Sequence, residues 1–431
     1  MTISDNFCPS PWIHARIRST GDLRYCRWSG SRTSDDPLVD NIRSADPVEF
    51  FQKQMSHYRL MMLEGRRPAA CEDCHVMERH GKVSGRQRQM IKVGIDPDRF
   101  DASLVTSTFV DEFRHSAEHH GDTTLMPVDW QVDLGNHCNS ACLFCTPTAS
   151  SRLRAQQHRL GMVDRATQFN WADDPVLVDK FMSVLERTPS LRYLHFLGGE
   201  PMVNPAFKEI LRRCVDRGLN RSCTIGLTTN LTVWDDEINS LLCDFNGLNL
   251  GVSIETLHDV NEYLRWPARQ SQVLSNLHRY HSLAREQDWT LTIRNTPTVF
   301  SVGNMAGLYR YAIDNRIGIE SCNFLQEPPF MRPTVLPMDL RQDAARQMLD
   351  LINEHEHVDE VGSFNTRDRS AVRGAVLSDA RAWSNYLTQA DDESHRMEHL
   401  VVYLKRMEGL RNNSIIDYLP EYEKILRTAG Y

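Results

Sequence analysis

At 431 residues and 41% hydrophobic content, the chain is long enough for two or three structural units and carries ample apolar material for a core. A net charge of -8 and a pI near 6.1 exclude a general electrostatic attraction to nucleic acid or to an anionic membrane. The start, MTISDNFCPSPW, lacks a basic region followed by an apolar run, and no later stretch approaches the length of a membrane span, so a cytoplasmic globular protein is expected. Eleven cysteines in so long a chain are not a disulfide scaffold, and the clustering of seven of them points to metal binding in a reducing compartment.

Residues 1–125 consist of short segments with many charges and four of the clustered cysteines, which predicts a separate small unit. Within it, WIHARIRSTGDLRYC reads as a β-hairpin that turns at Thr20-Gly21-Asp22, with Cys8 ahead of it and Cys26 at its exit. The segment ACEDC adds Cys71 and Cys74. The stretch that follows carries Arg79, Lys82, Arg86, Arg88 and Lys92. These suit either a solvated helical face or a set of cations that draws in an acidic substrate. His115, His119 and His120, and likewise His355 and His357, fall in charged stretches and read as surface residues.

From 128 to 330, strand-like runs alternate with amphipathic helices. The strands are VDWQVDLG, LRYLHFLG, CTIGLTTN, LNLGVSI, LTIRNTPTV and IESCNFL. Val273, Leu277 and Tyr280 share one helical face, and Met305, Leu308, Tyr309 and Ala312 another. Six strands separated by helices imply parallel pairing, as a partial (β/α)6 barrel or an open doubly wound sheet, and periodicity does not choose between them. After the Pro-rich stretch 326–337 the chain turns helical, with apolar repeats at Ala345, Met348, Leu349, Ile352 and at Met397, Leu400, Val401, Leu404. Cys214, Cys223, Cys243 and Cys322 stand alone and read as buried structural cysteines.

The run CNSACLFC places Cys138, Cys142 and Cys145 in a C-x3-C-x2-C array. That spacing lets three thiolates hold three irons of a [4Fe-4S] cluster and leaves the fourth iron open. A zinc site completed by His137, or unrelated core cysteines, are the competing readings. The array follows the first strand of the alternating region, so it sits at a strand's carboxyl end, where active sites of α/β folds gather.

With Phe144 in its aromatic position, the array resembles the signature of the radical SAM superfamily. FLGGEPMVNP, which closes the second strand, resembles that family's GGEP element at Gly198, Gly199, Glu200 and Pro201. The resemblance covers about 128–330 and implies an α/β fold built on a partial (β/α)6 barrel. It implies that S-adenosyl-L-methionine (SAM) chelates the open iron and that an electron from the reduced cluster cleaves it. The products are methionine and a 5'-deoxyadenosyl radical, which takes a hydrogen atom from a substrate. By the same resemblance the two glycines let the backbone approach a ligand, Glu200 accepts from the methionyl ammonium, Asn230 sits at a cofactor-contacting strand end, Ser253 meets the ribose and Arg265 the carboxylate of SAM. An external electron donor such as flavodoxin or ferredoxin is also implied.

Cys8 and Cys26, spaced C-x12-G-x4-C, are similar to the opening half of SPASM and twitch domains, with Cys71 and Cys74 completing the set. Four cysteines suit one auxiliary [4Fe-4S] cluster, and a structural zinc is the alternative. In most relatives such a domain follows the core, whereas here the cysteines precede it. The chain is thus expected to divide into a twitch-like auxiliary cluster domain (1–125), a radical SAM core (126–335) and a helical extension (336–431). By analogy with relatives that carry such domains, a peptide is the expected substrate and a small metabolite the alternative. A non-catalytic Fe-S or zinc protein that binds a partner is the reading from another class, which the GGEP element disfavours.

Overall fold

The structure is a computed structural model that describes residues 4–26, 40–97, 107–320, 324–355 and 369–431. Its strands are β1 (His14–Ile17), β2 (Asp22–Arg24), β3 (Asp40–Asn41), β4 (Asp129–Asp133), β5 (Tyr193–Leu197), β6 (Thr224–Thr229), β7 (Gly247–Val252), β8 (Thr290–Ile293) and β9 (Gly318–Ile319). They form one sheet in the order β3-β2-β1-β4-β5-β6-β7-β8-β9. From β4 to β9 every neighbouring pair is parallel, with helices in each crossover. A doubly wound sheet reverses its strand order at a switch point; this one runs on without reversal, as a partial (β/α)6 barrel does. All six expected strands are present. The last is short, and Cys322 and His357 lie outside the described residues.

Period-two alternation sets the layers. Trp130, Val132, Leu194, Phe196, Ile225, Leu227 and Ile293 are buried on the face that the helices cover, with Phe181 edge-on to Trp130 and Phe207 edge-on to Phe196. Gln131, Asp133, His195, Thr228 and Arg294 occupy the alternate positions, so the inner face is polar. Two of the crossover helices start where the chain supplies a cap followed by proline. Asp174 caps Pro175–Glu186 and Asn204 caps Pro205–Asp216. The expected apolar faces at Val273, Leu277 and Tyr280 and at Met305, Leu308, Tyr309 and Ala312 are buried.

The amino-terminal hairpin forms as expected between β1 and β2. Gly21 turns it with φ +89°, and a Cβ there would come within 3.0 Å of Asn41 and Ile42. Its place was not legible in the sequence. β1 lies parallel beside β4, with His14 opposite Asp129, so the hairpin extends the barrel sheet at its edge. A smaller apolar cluster that includes Phe7, Cys8, Trp12, Met62, Cys71, Met90 and Phe113 packs apart from the main core.

The cations after Cys74 divide: Lys82 and Arg86 are buried, the Arg79 and Lys92 side chains stay about half exposed, and all five are ion-paired. Arg79 pairs with Glu72, Lys82 with Asp379, Arg86 with Glu78, Arg88 with Glu320 and Lys92 with Asp129. Three of these pairs tie the amino-terminal segment to the barrel strands and to the carboxy-terminal helices.

The carboxy-terminal region is built on helices Met338–His355, Arg369–Gln389 and Met397–Arg411. The first turns inward on Ala344, Ala345, Met348, Leu351 and Ile352, which leaves Leu349 46% exposed, contrary to the expected repeat. Met397, Leu400, Val401 and Leu404 are buried as expected. Cys214 and Cys223 are core residues, whereas Cys243 is exposed because it ends its helix beyond the packed positions Ile238 and Leu242. Among the described residues no helix is long and apolar enough to cross a membrane.

Candidate active site

The loop that leaves the carboxyl end of β4 carries Cys138, Cys142 and Cys145. Cys142 is buried, and the other two are partly so. Burial, followed by the charges of Cys142, Glu200 and Cys145, pushes the Cys138 thiol well up, and burial with Cys142 raises Cys145 to about 12. Burial is the main cause that keeps all three thiols protonated, and a bound cation would offset it. Iron is such a cation, and three thiols on one loop are a donor set that fits the cluster implied by the spacing. Among the described residues no three Cys, His, Asp or Glu side chains are placed to hold a single metal ion, and the grouping of these thiols rests on their mutual charge effects. His137 turns to Asp173 at 2.8 Å, away from the zinc role considered for it.

Gly198 and Gly199 have φ of +82° and +63°. A Cβ on Gly199 would lie 2.0 Å from the His137 carbonyl oxygen, and one on Gly198 would lie 2.9 Å from Asp133 Cα and the Gly135 oxygen. Among the described residues, the foot of the cysteine loop comes close to these glycines. The contact is sealed by the Glu200 amide, which donates to the His137 carbonyl at 2.7 Å. Gly199→Ala is therefore expected to destabilise the protein by about 2 kcal/mol, since the φ and the clash penalise it together. Denaturant unfolding checks this, and a cost under about 0.5 kcal/mol contradicts it.

Glu200 is fully enclosed. Its carboxylate accepts from the Met202 amide at 3.1 Å, the Thr229 hydroxyl at 2.8 Å and the Asn230 amide at 2.6 Å, which leaves about one of its acceptor positions open. Burial raises its pKa to about 7 against the pull of these donors. The residue thus ties the end of β5 to the end of β6. Asn230 continues the link, donating to Asn139 at 2.9 Å and to Ser140 at 3.1 Å in the cysteine loop. Ser253, half-buried at the end of β7, donates its amide to the Thr229 carbonyl.

Arg265 is buried against the loop. Its Nε donates to Glu255 at 3.1 Å, its Nη2 makes a very short contact with the same carboxylate, Nη1 lies 3.8 Å from the Cys142 sulfur, and the guanidinium sits 5.2 Å from the Phe144 ring centre. Against the desolvation that favours its neutral form, Glu255 and then Cys142 keep Arg265 charged. One edge of the fork is thereby committed to Glu255, a partner that the sequence did not assign to it. The backbone of the loop is held as well, Ala141 donating to the Trp266 carbonyl at 2.7 Å and Leu143 to the Leu264 carbonyl at 2.9 Å.

Cys8, Cys26, Cys71 and Cys74 are near enough to act on one another's charge. After burial, the charges of Cys26, Cys71 and Cys74 raise the Cys8 thiol, and Cys26 raises both Cys71 and Cys74. Arg86 is buried beside them and donates to the Phe7 carbonyl at 3.1 Å. Cys8 precedes β1, and Cys26 follows the antiparallel β2. This set therefore lies at the opposite end of β1 and β4 from Cys138, Cys142 and Cys145.

Parallel strands β4 to β9 run on without reversal, and a three-thiol loop leaves the carboxyl end of β4, the end at which α/β barrels carry their active sites. Residues 132–296 match the family model described as Radical SAM superfamily, so the chain carries a radical SAM domain and is a radical SAM enzyme, whose cofactors are a [4Fe-4S] cluster and SAM. No curated protein matches the chain. Among solved structures it is similar to Streptococcus suis SuiB bound to S-adenosylmethionine, with 15% identity over 83% of this chain and 71% of that one and a TM-score of 0.39. It is also similar to Streptococcus suis SuiB bound to the precursor peptide SuiA, with 14% identity over 82% and 70% and a TM-score of 0.37.

Proposed function

We propose that Cys138, Cys142 and Cys145 hold the SAM-cleaving cluster, that Cys8, Cys26, Cys71 and Cys74 hold an auxiliary [4Fe-4S] cluster, and that the enzyme takes a hydrogen atom from a polar part of a peptide. The observation that carries the first statement is the gathering of the three thiols on one loop at the carboxyl end of β4, inside the matched residues. When bound, the cluster and SAM supply the radical, and this chain supplies position and dryness. Glu200 and Asn230 brace the loop, Phe144 and Arg265 back it, and Ser253 offers a hydroxyl at the neighbouring strand end.

The inner face of the sheet supports a polar substrate. Arg294 Nη1 donates to Thr228 at 2.7 Å and lies 3.0 Å from His195 Nε2, so His195 presents that nitrogen as an acceptor. Gly226 and Gly251 leave room for these groups. A Cβ at Gly226 would meet the Tyr193 hydroxyl at 2.3 Å, and one at Gly251 would meet Arg294 at 2.6 Å. The peptide reading itself rests on the analogy with relatives that carry twitch-like cysteines.

In the same reading, residues 1–125 form the auxiliary domain, 126–335 the core and 336–431 the extension. The protein works in the cytoplasm with an external donor such as flavodoxin or ferredoxin. The auxiliary cluster, at the far end of the strands, relays an electron or holds its small core together. Iron counting on a Cys71→Ala, Cys74→Ala variant is expected to show about four irons lost per chain. Loss of zinc instead defeats the auxiliary-cluster assignment.

A further inference from the structure

The helix Met397–Arg411 reaches the cysteine loop from the far end of the chain. Tyr403 donates its hydroxyl to the Leu143 carbonyl at 3.1 Å, and Arg411 Nη2 donates to the Ala141 carbonyl at 2.5 Å. Leu143 and Ala141 in turn donate their amides to the Leu264 and Trp266 carbonyls. Cys142 thus sits between two residues whose backbones are held on both sides. The two grips are joined, since Tyr263 donates to Glu408 on that helix at 2.7 Å.

Arg411 is itself unusual. It is 9% exposed, shares Gln156 Oε1 at 2.9 Å, and lies 5.1 Å from the Trp266 ring centre. No carboxylate among the described residues pairs with it, and its buried Nη1 has no hydrogen-bond partner. The ionisable groups that act on its charge are Tyr403, Tyr263 and Cys142. Arg265, by contrast, is offset by Glu255. A buried cation with an orphan donor is costly unless something anionic meets it. Three thiolates around an iron-sulfur cluster are such a group.

We propose that Arg411, a positioning residue outside the matched region, is the counter-cation of the SAM-cleaving cluster, and that with Tyr403 it clamps the loop carrying Cys142. The proposal rests on the assignment of that cluster to Cys138, Cys142 and Cys145. It is tested on full-length protein reconstituted anaerobically with iron and sulfide, comparing the parent with Arg411→Met, Arg411→Lys and Tyr403→Phe. The redox readout is the midpoint potential of the cluster whose spectrum changes when SAM is added. Removing a positive charge disfavours the reduced, more negative cluster, so Arg411→Met is expected to move the potential negative, and Arg411→Lys to restore most of the shift. Iron release to a chelator is expected to quicken roughly tenfold in Arg411→Met, and less in Tyr403→Phe. An unchanged potential and unchanged release in Arg411→Met overturn the proposal, including when its melting temperature falls, because that pattern is a structural role only. If Arg411→Met does not fold, Arg411→Gln decides by its midpoint potential and Tyr403→Phe by its release rate, and parental values in both overturn the proposal. A Cys142→Ala protein that keeps its SAM-responsive cluster instead defeats the underlying assignment.

Discussion

Replacing Cys142 with alanine is expected to remove about four irons per chain and to leave the iron held by the amino-terminal cysteines in place. The loop makes this selective. Cys142 is the central thiol of the three, buried, and held between residues whose amides and carbonyls are all engaged by neighbouring elements. A cluster held by two thiolates lacks a third anchor, and nothing else on that loop replaces it, since His137 is paired with Asp173. Iron and sulfide counts on the reconstituted variant check the result. A parental iron content contradicts it.

A second large effect is expected in the protein free of metal. Glu255 is inaccessible to solvent and is the acid that offsets Arg265, and it also accepts from the Thr296 amide. Glu255→Ala leaves the Arg265 charge buried without a carboxylate, which costs about 3–5 kcal/mol. Replacing both, as Glu255→Ala with Arg265→Met, removes the stranded charge and is expected to recover part of the loss. Unfolding of both variants in denaturant measures this. A single variant within about 1 kcal/mol of the parent contradicts the pairing as an energetic feature.

The local signals in the chain were readable. Alternation marked the six parallel strands, the apolar repeats marked the crossover helices, and the hairpin turned at its glycine, because each depends on residues within one or two turns of one another. The spacing C-x3-C-x2-C also needs nothing beyond its own loop. What escaped the sequence was tertiary. Gly198 and Gly199 make room for the backbone of His137 and Gly135, some sixty residues earlier in the chain, a contact that nothing beside them in the sequence announces. Arg79, Lys82, Arg86, Arg88 and Lys92 looked like a cationic face, but their acids are supplied partly by distant elements such as Asp379 and Glu320. Arg411 carries no local mark at all, because the carbonyl that it binds lies 270 residues away.

The placement of the two cysteine sets follows from strand direction alone. Because β1 and β4 run parallel and β2 returns antiparallel, the residues flanking the hairpin fall at the strands' amino ends, while the loop after β4 falls at the carboxyl end. A polar inner face carrying His195, Thr228 and Arg294 lies between them.

The central claim is that the loop at the end of β4 generates a radical from SAM. Its most direct test is the formation of 5'-deoxyadenosine by the protein reconstituted anaerobically with iron and sulfide and then given dithionite and SAM. The parent protein is predicted to make it and Cys142→Ala to make none above the level without enzyme. Equal amounts from the two proteins, or none from a parent shown to hold its iron, would contradict the claim.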